Sequence, residues 1–183
     1  MDGNHELRVV RSRRFGSGGL AGAEPFSPIA HLRSGIAVGA WLLKAAPGVW
    51  DAVSAIRSGT PITDWSLVDN YRAALVRSGQ PCGLWLTRGW AMPAGVVALG
   101  LISSDPYYGV GEDDGLWGEP ERASHPTLRV DVELTALPEV VRLDELLTHD
   151  CFRDAEPVRA PRVSSPIALT VAQWQLVHDI AYG

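Results

Sequence analysis

From Ile36 the chain turns apolar: IAVGAWLLK runs to Lys44 with almost no polar break and is ended by Ala45, Ala46 and Pro47. So short and continuous a run predicts a buried strand, the first of the core. Beyond it, Val49, Val53 and Ile56 recur at helical spacing between Gly48 and Ser58, with Gly59 just past the end, and predict a short helix packed on the sheet. Thr60 to Ser66 read as a Pro-containing turn. DNYRAALVRSG places Tyr71, Leu75 and Val76 on one helical face stopped at Ser78-Gly79. CGLWLT and AGVVALGLIS read as two strands joined by TRGWAMP.

Periodicity then lapses. Asp105 to Pro126 holds Gly109, Gly111, Gly115, Gly118, Pro106, Pro120 and Pro126, which predicts a long loop of the kind that often carries function. LRVDVELTAL alternates as a half-solvated strand should, VRLDELLTH reads as a short helix, and Thr170 is placed to cap a closing helix with Trp174, Val177 and His178 on one side. Residues 1–35, broken by Gly16, Gly18, Gly19 and Pro28, show no sustained period and read as a flexible extension; residues 36–183 read as one domain. Strands around a small barrel-like sheet with helices at its ends make the expected class α+β.

Composition narrows the function. The 183 residues are 46% hydrophobic and 20% charged, with a mean hydropathy of +0.02, which fits a globular domain rather than a disordered chain. No apolar run approaches the roughly 18 residues a membrane span needs, so a membrane partner is not expected and a cytoplasmic location is. Cys82 and Cys151 stand far apart without a C-x-x-C pair, which argues against both a disulfide framework and a zinc knuckle. Within residues 1–35, Arg8, Arg11, Arg13, Arg14 and Arg33 face Asp2, Glu6 and Glu24, a balance of +2; the total is −5, so the rest carries −7. An acidic body argues against broad duplex binding through many phosphate contacts, and leaves RVVRSRR either as a nucleic-acid arm or, more commonly for such runs, as a solvated tail.

Other chemistries find no support. His149, Asp150 and Cys151 are adjacent and so point apart, with no second cluster at zinc spacing; no metal is expected. Glu112, Asp113 and Asp114 lack the alternating ligands of an EF-hand and read as a solvated acidic loop. GSGG at Gly16 lacks the G-K-[ST] of a P-loop, Gly109, Gly111 and Gly115 miss the dinucleotide spacing, and there is no G-x-S-x-G elbow. No cofactor and no catalytic residue is expected.

An ordered set of motifs over about residues 40–179 resembles the EVE family of the PUA-like superfold, related to YTH and ASCH domains. Trp41-Leu42-Leu43-Lys44 with Pro47 is similar to its opening W-L-x-K-x-x-P signature, and Trp65 with Val68, Asn70, Tyr71 and Arg72 to its W-x-x-V-R-N-Y segment. The paired strands before Asp105-Pro106-Tyr107, then DVEL, LDELL and APRVSSPIALTVAQW, resemble its central and closing elements. Ala46 and Asp69 stand where the family commonly has a glutamate and an arginine, which bears on ligand identity rather than fold.

The resemblance implies a PUA-like small mixed or antiparallel β-barrel with flanking helices, and a pocket for an extruded, modified base of DNA or RNA, C5-modified cytosine first, much as YTH members cage a methylated adenine. A flipped base is held by stacking, worth about 1–3 kcal/mol per base, and by hydrogen bonds to its edge. Stacking falls to Trp65, aided by Trp85, Tyr71 or Trp41; polar reading to Asn70, Lys44 and Thr87; phosphate contact to Arg72 and Arg162. Each has a plainer reading. Trp41 and Trp85 lie in predicted strands, where tryptophan is more often core, and Trp50 and Trp174 lie on helical faces, where packing is the common role. Lys44 ends a strand and Arg162 follows Pro161, both ordinary surface positions, whereas Trp65 follows a turn, where burial is less automatic. A non-enzymatic reader, working with a separate nuclease or helicase chain as effector, is therefore expected; a protein-interaction module and an RNA-cleaving enzyme built on Lys44, Asn70, Tyr71 and Arg72 are the alternatives.

Overall fold

A computed structural model describes residues 26–111 and 114–183. The Arg8–Arg14 run, the GSGG stretch, Glu112 and Asp113 lie outside them. Among the described residues eight strands form a mixed sheet of order β1-β2-β4-β5-β7-β3, with β6 added to β7 and β8 to β2: β1 Ala30–His31, β2 Ala37–Ala45, β3 Asp64–Leu67, β4 Pro81–Leu86, β5 Gly95–Ile102, β6 Tyr107–Gly109, β7 Thr127–Arg142 and β8 Ile167–Thr170. β2 runs parallel to β4 and antiparallel to β8.

Neighbours on both edges explain the unbroken apolar run of β2. Its alternation sends Trp41, Leu43 and Ala45 into one hydrophobic cluster with Val76, Leu84 and Val130, and Ala40 and Leu42 into a second with Val96, Phe152, Ile167 and Trp174. The helix α5, Val171–Tyr182, closes the second cluster. Thr170 Oγ1 accepts from Gln173 N–H (3.3 Å) while Gln173 Oε1 accepts from Thr170 N–H (2.9 Å), a capping box where the sequence predicted an N-cap. Gly39 permits the close approach of β2 to this helix: a Cβ there would lie 2.6 Å from Val171 Cα.

Several elements differ from the expectation. The sheet is mixed and strand-rich with short helices, but it does not close into a barrel. β3 pairs with β7 on one edge only, and on the other edge Val68 N–H reaches Ser165 O (2.8 Å) instead of continuing a ladder. The predicted helix from Asp69 to Gly79 shrinks to a 3₁₀ turn at Ala73–Leu75, because Asn70 Oδ1 takes the N–H of Arg72 (2.8 Å) and Ala73 (3.4 Å) and Val76 is already extended. The turn predicted over Thr60 to Ser66 ends in β3, and the loop predicted over Asp105 to Pro126 contains β6. β7 continues to Arg142, leaving α2 only Leu143–Leu146; α3 Asp150–Arg153 and α4 Glu156–Arg159 follow, with α1 at Ala52–Ser58. Part of the stretch read as an extension is ordered: β1 pairs with β2, and Leu32 is buried.

Among the described residues no helix is long and apolar enough to cross a membrane, and no three His, Cys, Asp or Glu gather as a metal site. Cys82 and Cys151 are free; burial pushes the Cys82 thiol up to about 12, which keeps it protonated.

Candidate functional site

The gap left beside β3 is a cleft of about 360 Å³, bounded by residues 60–68, by 44–50 and by Ser164 and Ser165, with Trp117 and Asp114 from the long loop. Clefts that hold small planar ligands span about 300–1,000 Å³. Trp50 and Trp65 meet edge to face, ring centres 5.7 Å apart at 89°, and Trp117 joins Trp50 through an antiparallel bridge. Such an aromatic pair contributes about 0.5–1.5 kcal/mol beyond its buried area. Trp50 Nε1 donates to Asp114 Oδ2 (2.8 Å), and Trp65 Nε1 to Ser165 Oγ (3.3 Å), so both indoles are oriented by hydrogen bonds while remaining half-buried. Trp117 is brought in by the tight crossing of Gly118 over the Gly48 carbonyl, which leaves no room for a Cβ.

The polar side of the cleft is built on an ion pair. Arg129 on β7 is 3% exposed and grips Asp64 on β3 with Nε to Oδ2 (2.9 Å) and Nη2 to Oδ1 (2.7 Å), while Nη1 donates to Thr127 Oγ1 (3.3 Å). Held in this fork, the Asp64 carboxylate keeps its orientation and a partly exposed edge at the cleft. The β3 backbone supplies more. Thr63 O accepts from Val132 N–H (2.9 Å), so the antiparallel alternation turns the main-chain N–H and C=O of Asp64 and Ser66 away from β7, toward the gap.

Of the residues singled out in the sequence, the fold brings Lys44 and Trp65 together in the cleft. Lys44, the sole lysine of the chain, spends its ammonium on the carbonyls of Pro161 (2.8 Å) and Val163 (2.9 Å), and its N–H meets Ser165 Oγ (2.8 Å); burial lowers its pKa. It fastens the 161–165 segment that forms one wall rather than presenting a free cation. Trp41 and Trp85 face the core on opposite sides of the sheet. Trp41 donates Nε1 to Gln80 Oε1 (2.8 Å), and Trp85 stacks on Phe152 at 6.4 Å. Thr87 contacts the Ala45 carbonyl (3.4 Å) outside the cleft lining, and Asn70 is occupied as the turn cap described above. Arg72 pairs with Glu156 at 2.5 Å; burial opposes its charge, but Glu156 and Tyr71 outweigh burial and raise its pKa. Arg162 is exposed beside the wall.

The residues that sequence reasoning passed over are Trp117, Asp64, Arg129 and Ser165, and Trp50 was assigned to packing. Trp50 precedes α1 rather than lying on its face, since Asp51 is the N-cap, accepting from Ser54 N–H at 2.9 Å, and so the indole is free to line the cleft. A signal for Trp117 existed: a tryptophan in a long Gly- and Pro-rich loop has no periodic face to bury. Asp64 and Arg129 carried none, because their pairing spans a strand register that no local pattern encodes.

No family model matches the sequence, and no curated protein is matched. Solved structures do match. The chain superposes on a Leishmania major protein (TM-score 0.55, 18% identity, covering 77% of this chain and 92% of the other), and on a Rhodopseudomonas palustris protein solved by NMR (0.52, 20%, 77% and 91%). It also superposes on human THYN1, an EVE-domain protein crystallised in complex with DNA containing 5-methylcytosine (0.52, 16%, 78% and 97%). At these identities the likeness speaks for the fold alone. With the motif order and the open eight-stranded sheet, it establishes that this chain has the EVE-type, PUA-like fold.

Proposed function

We propose that the protein is a non-enzymatic nucleic-acid reader that takes one extruded base, C5-modified cytosine in DNA first, into the cleft beside β3. The observation that carries this reading is the combination of two perpendicular, half-buried indoles with an oriented carboxylate and outward-turned main-chain groups in one cleft of fitting volume. Planarity is met by the ring faces of Trp65 and Trp50, and a C5-methyl gains from the same apolar surface. The amino group of cytosine finds an acceptor in Asp64, as carboxylates read that group elsewhere, while the main chain of Asp64 and Ser66 offers both a donor and an acceptor to the rest of the base edge. The similarity to THYN1, a protein solved with 5-methylcytosine DNA, supports the choice of ligand.

The polar reading thereby shifts from Lys44, Asn70 and Thr87, all committed within the fold, to Asp64, Ser66 and the serines of the wall. Trp65 keeps the stacking role. Its test is a tryptophan-fluorescence titration at fixed low salt with matched single- and double-stranded DNA and RNA, with and without C5-modified cytosine or N6-methyladenine. Quenching that favours one modified strand and is lost in Trp65→Ala, with the fold retained, is the expected result. Equal, salt-sensitive binding of every strand, or Trp65→Ala binding like the wild type, overturns the assignment. Binding of no strand turns the reading toward a protein-interaction module. Cleavage of labelled RNA during the same incubations contradicts the non-enzymatic part.

A further inference from the structure

Arg33 sits on the turn between β1 and β2, outside the span of the EVE-like motifs. The turn is fixed. Leu32 N–H bonds to Ile36 O (2.9 Å), Gly35 N–H to Leu32 O (2.8 Å), and the Leu32 side chain is buried beneath it. From this mount the Arg33 guanidinium lies over the ring of Tyr71, 4.4 Å from its centre, while the Arg72 guanidinium approaches the same ring at 5.9 Å. Arg72 is neutralised by Glu156. Arg33 has no hydrogen bond and no ion pair among the described residues, so one aromatic ring carries two cations and a single carboxylate.

An arginine stacked on a ring is held flat, with its in-plane N–H groups pointing outward as a fork that matches two oxygens of a phosphate. In a chain whose charge sums to −5, this ordered guanidinium braced on a ring stands in an acidic surround rather than in a broad positive field. Its link to the cleft runs through Tyr71 along the chain. Tyr71 follows Val68, whose N–H is bonded to Ser165 at the cleft wall, by three residues, a separation of at most about 11 Å along the chain. We propose that Arg33, braced by Tyr71, binds a phosphodiester of the strand that flanks the extruded base, and acts as a backbone clamp without reading sequence. The inference rests on the reader assignment for its polymer. It does not depend on which base the cleft accepts.

The test uses the full chain, wild type, Arg33→Ala and Arg33→Lys, titrated with an oligonucleotide carrying one central 5-methylcytosine and with its unmethylated twin, single- and double-stranded, over a series of salt concentrations. Arg33→Ala is expected to weaken both twins by the same factor, about three- to tenfold at low salt, and to lower the slope of log affinity against log salt by about 0.7–1, while the preference for the methylated strand stays as in wild type. Arg33→Lys, which keeps the charge but loses the fork, retains most of the slope. Wild-type affinity and slope in Arg33→Ala overturn the clamp and leave the reader assignment standing. So does a change confined to the methyl preference, which would put Arg33 in base recognition. Loss of the wild-type preference for the methylated twin, with the Arg33 effect intact, removes the base reading and keeps the clamp; failure of the wild type to bind any strand removes both.

Discussion

Trp41 and Trp65 are both strand tryptophans, and they end in opposite environments. β2 has neighbours on both edges and apolar clusters on both faces, so Trp41 is fully enclosed and its indole N–H is satisfied by Gln80 alone. Among the described residues β3 has one neighbour. Val68, just past it, and the Trp65 indole bond to Ser165, and Trp65 is left half-buried against Trp50 with a cleft beside it. Whether a strand is central or terminal in the sheet, more than the tryptophan itself, decides whether its ring is core or ligand surface.

Substitutions separate the two environments, the largest effect first. Trp41→Ala should destabilise the fold by about 3–5 kcal/mol, because a large cavity opens and Gln80 loses its partner; urea denaturation measures it. Trp65→Ala should cost clearly less in the same experiment while removing the fluorescence response to ligand. Equal losses at the two positions would erase the contrast. Next comes the wall of the cleft. Lys44→Met removes the donor to two carbonyls and is expected to cost about 1–2 kcal/mol, with faster amide exchange confined to residues 161–165. Uniform acceleration across the sheet would instead give Lys44 a global role.

Trp50→Phe loses the N–H bond to Asp114 at the rim and part of the ring surface that meets Trp65, so about 1 kcal/mol is expected in stability, with a measurable drop in ligand affinity. The smallest effect concerns pH. Tyr107 Oη donates to Asp131 (2.6 Å), and this bond, with burial and the neighbouring Asp131 and Asp64 charges, pushes its pKa up to about 12. Because the folded state holds this proton more tightly, the stabilisation is complete below pH 10 and is lost as pH rises through about 12. Tyr107→Phe should therefore flatten the alkaline fall in Tm; an unchanged fall would show that the bond contributes nothing to it.

Much of the fold was legible because its signals are local. The apolar run at Ile36–Lys44, the alternation of LRVDVELTAL and the T-x-x-Q cap of α5 each record a periodicity or a hydrogen bond made within a few residues. The collapse of the predicted helix after Asp69 was less so. Its apolar spacing fits a helix, yet Asn70 offers the backbone a competing partner and takes the N–H groups of Arg72 and Ala73.

The sequence by itself determined the class of fold and the positions of the core strands, which follow from hydrophobic period, and the candidacy of Trp65, which follows from the resemblance of its motif to a known family and from residue type. The tertiary structure decided which tryptophans face one another, that Lys44 is spent on the 161–165 wall, that Arg129 holds Asp64 at the cleft, and that the sheet stays open beside β3. Each of these joins residues far apart in the chain through strand order and register, and a contact of that range leaves no mark on the local pattern of either partner.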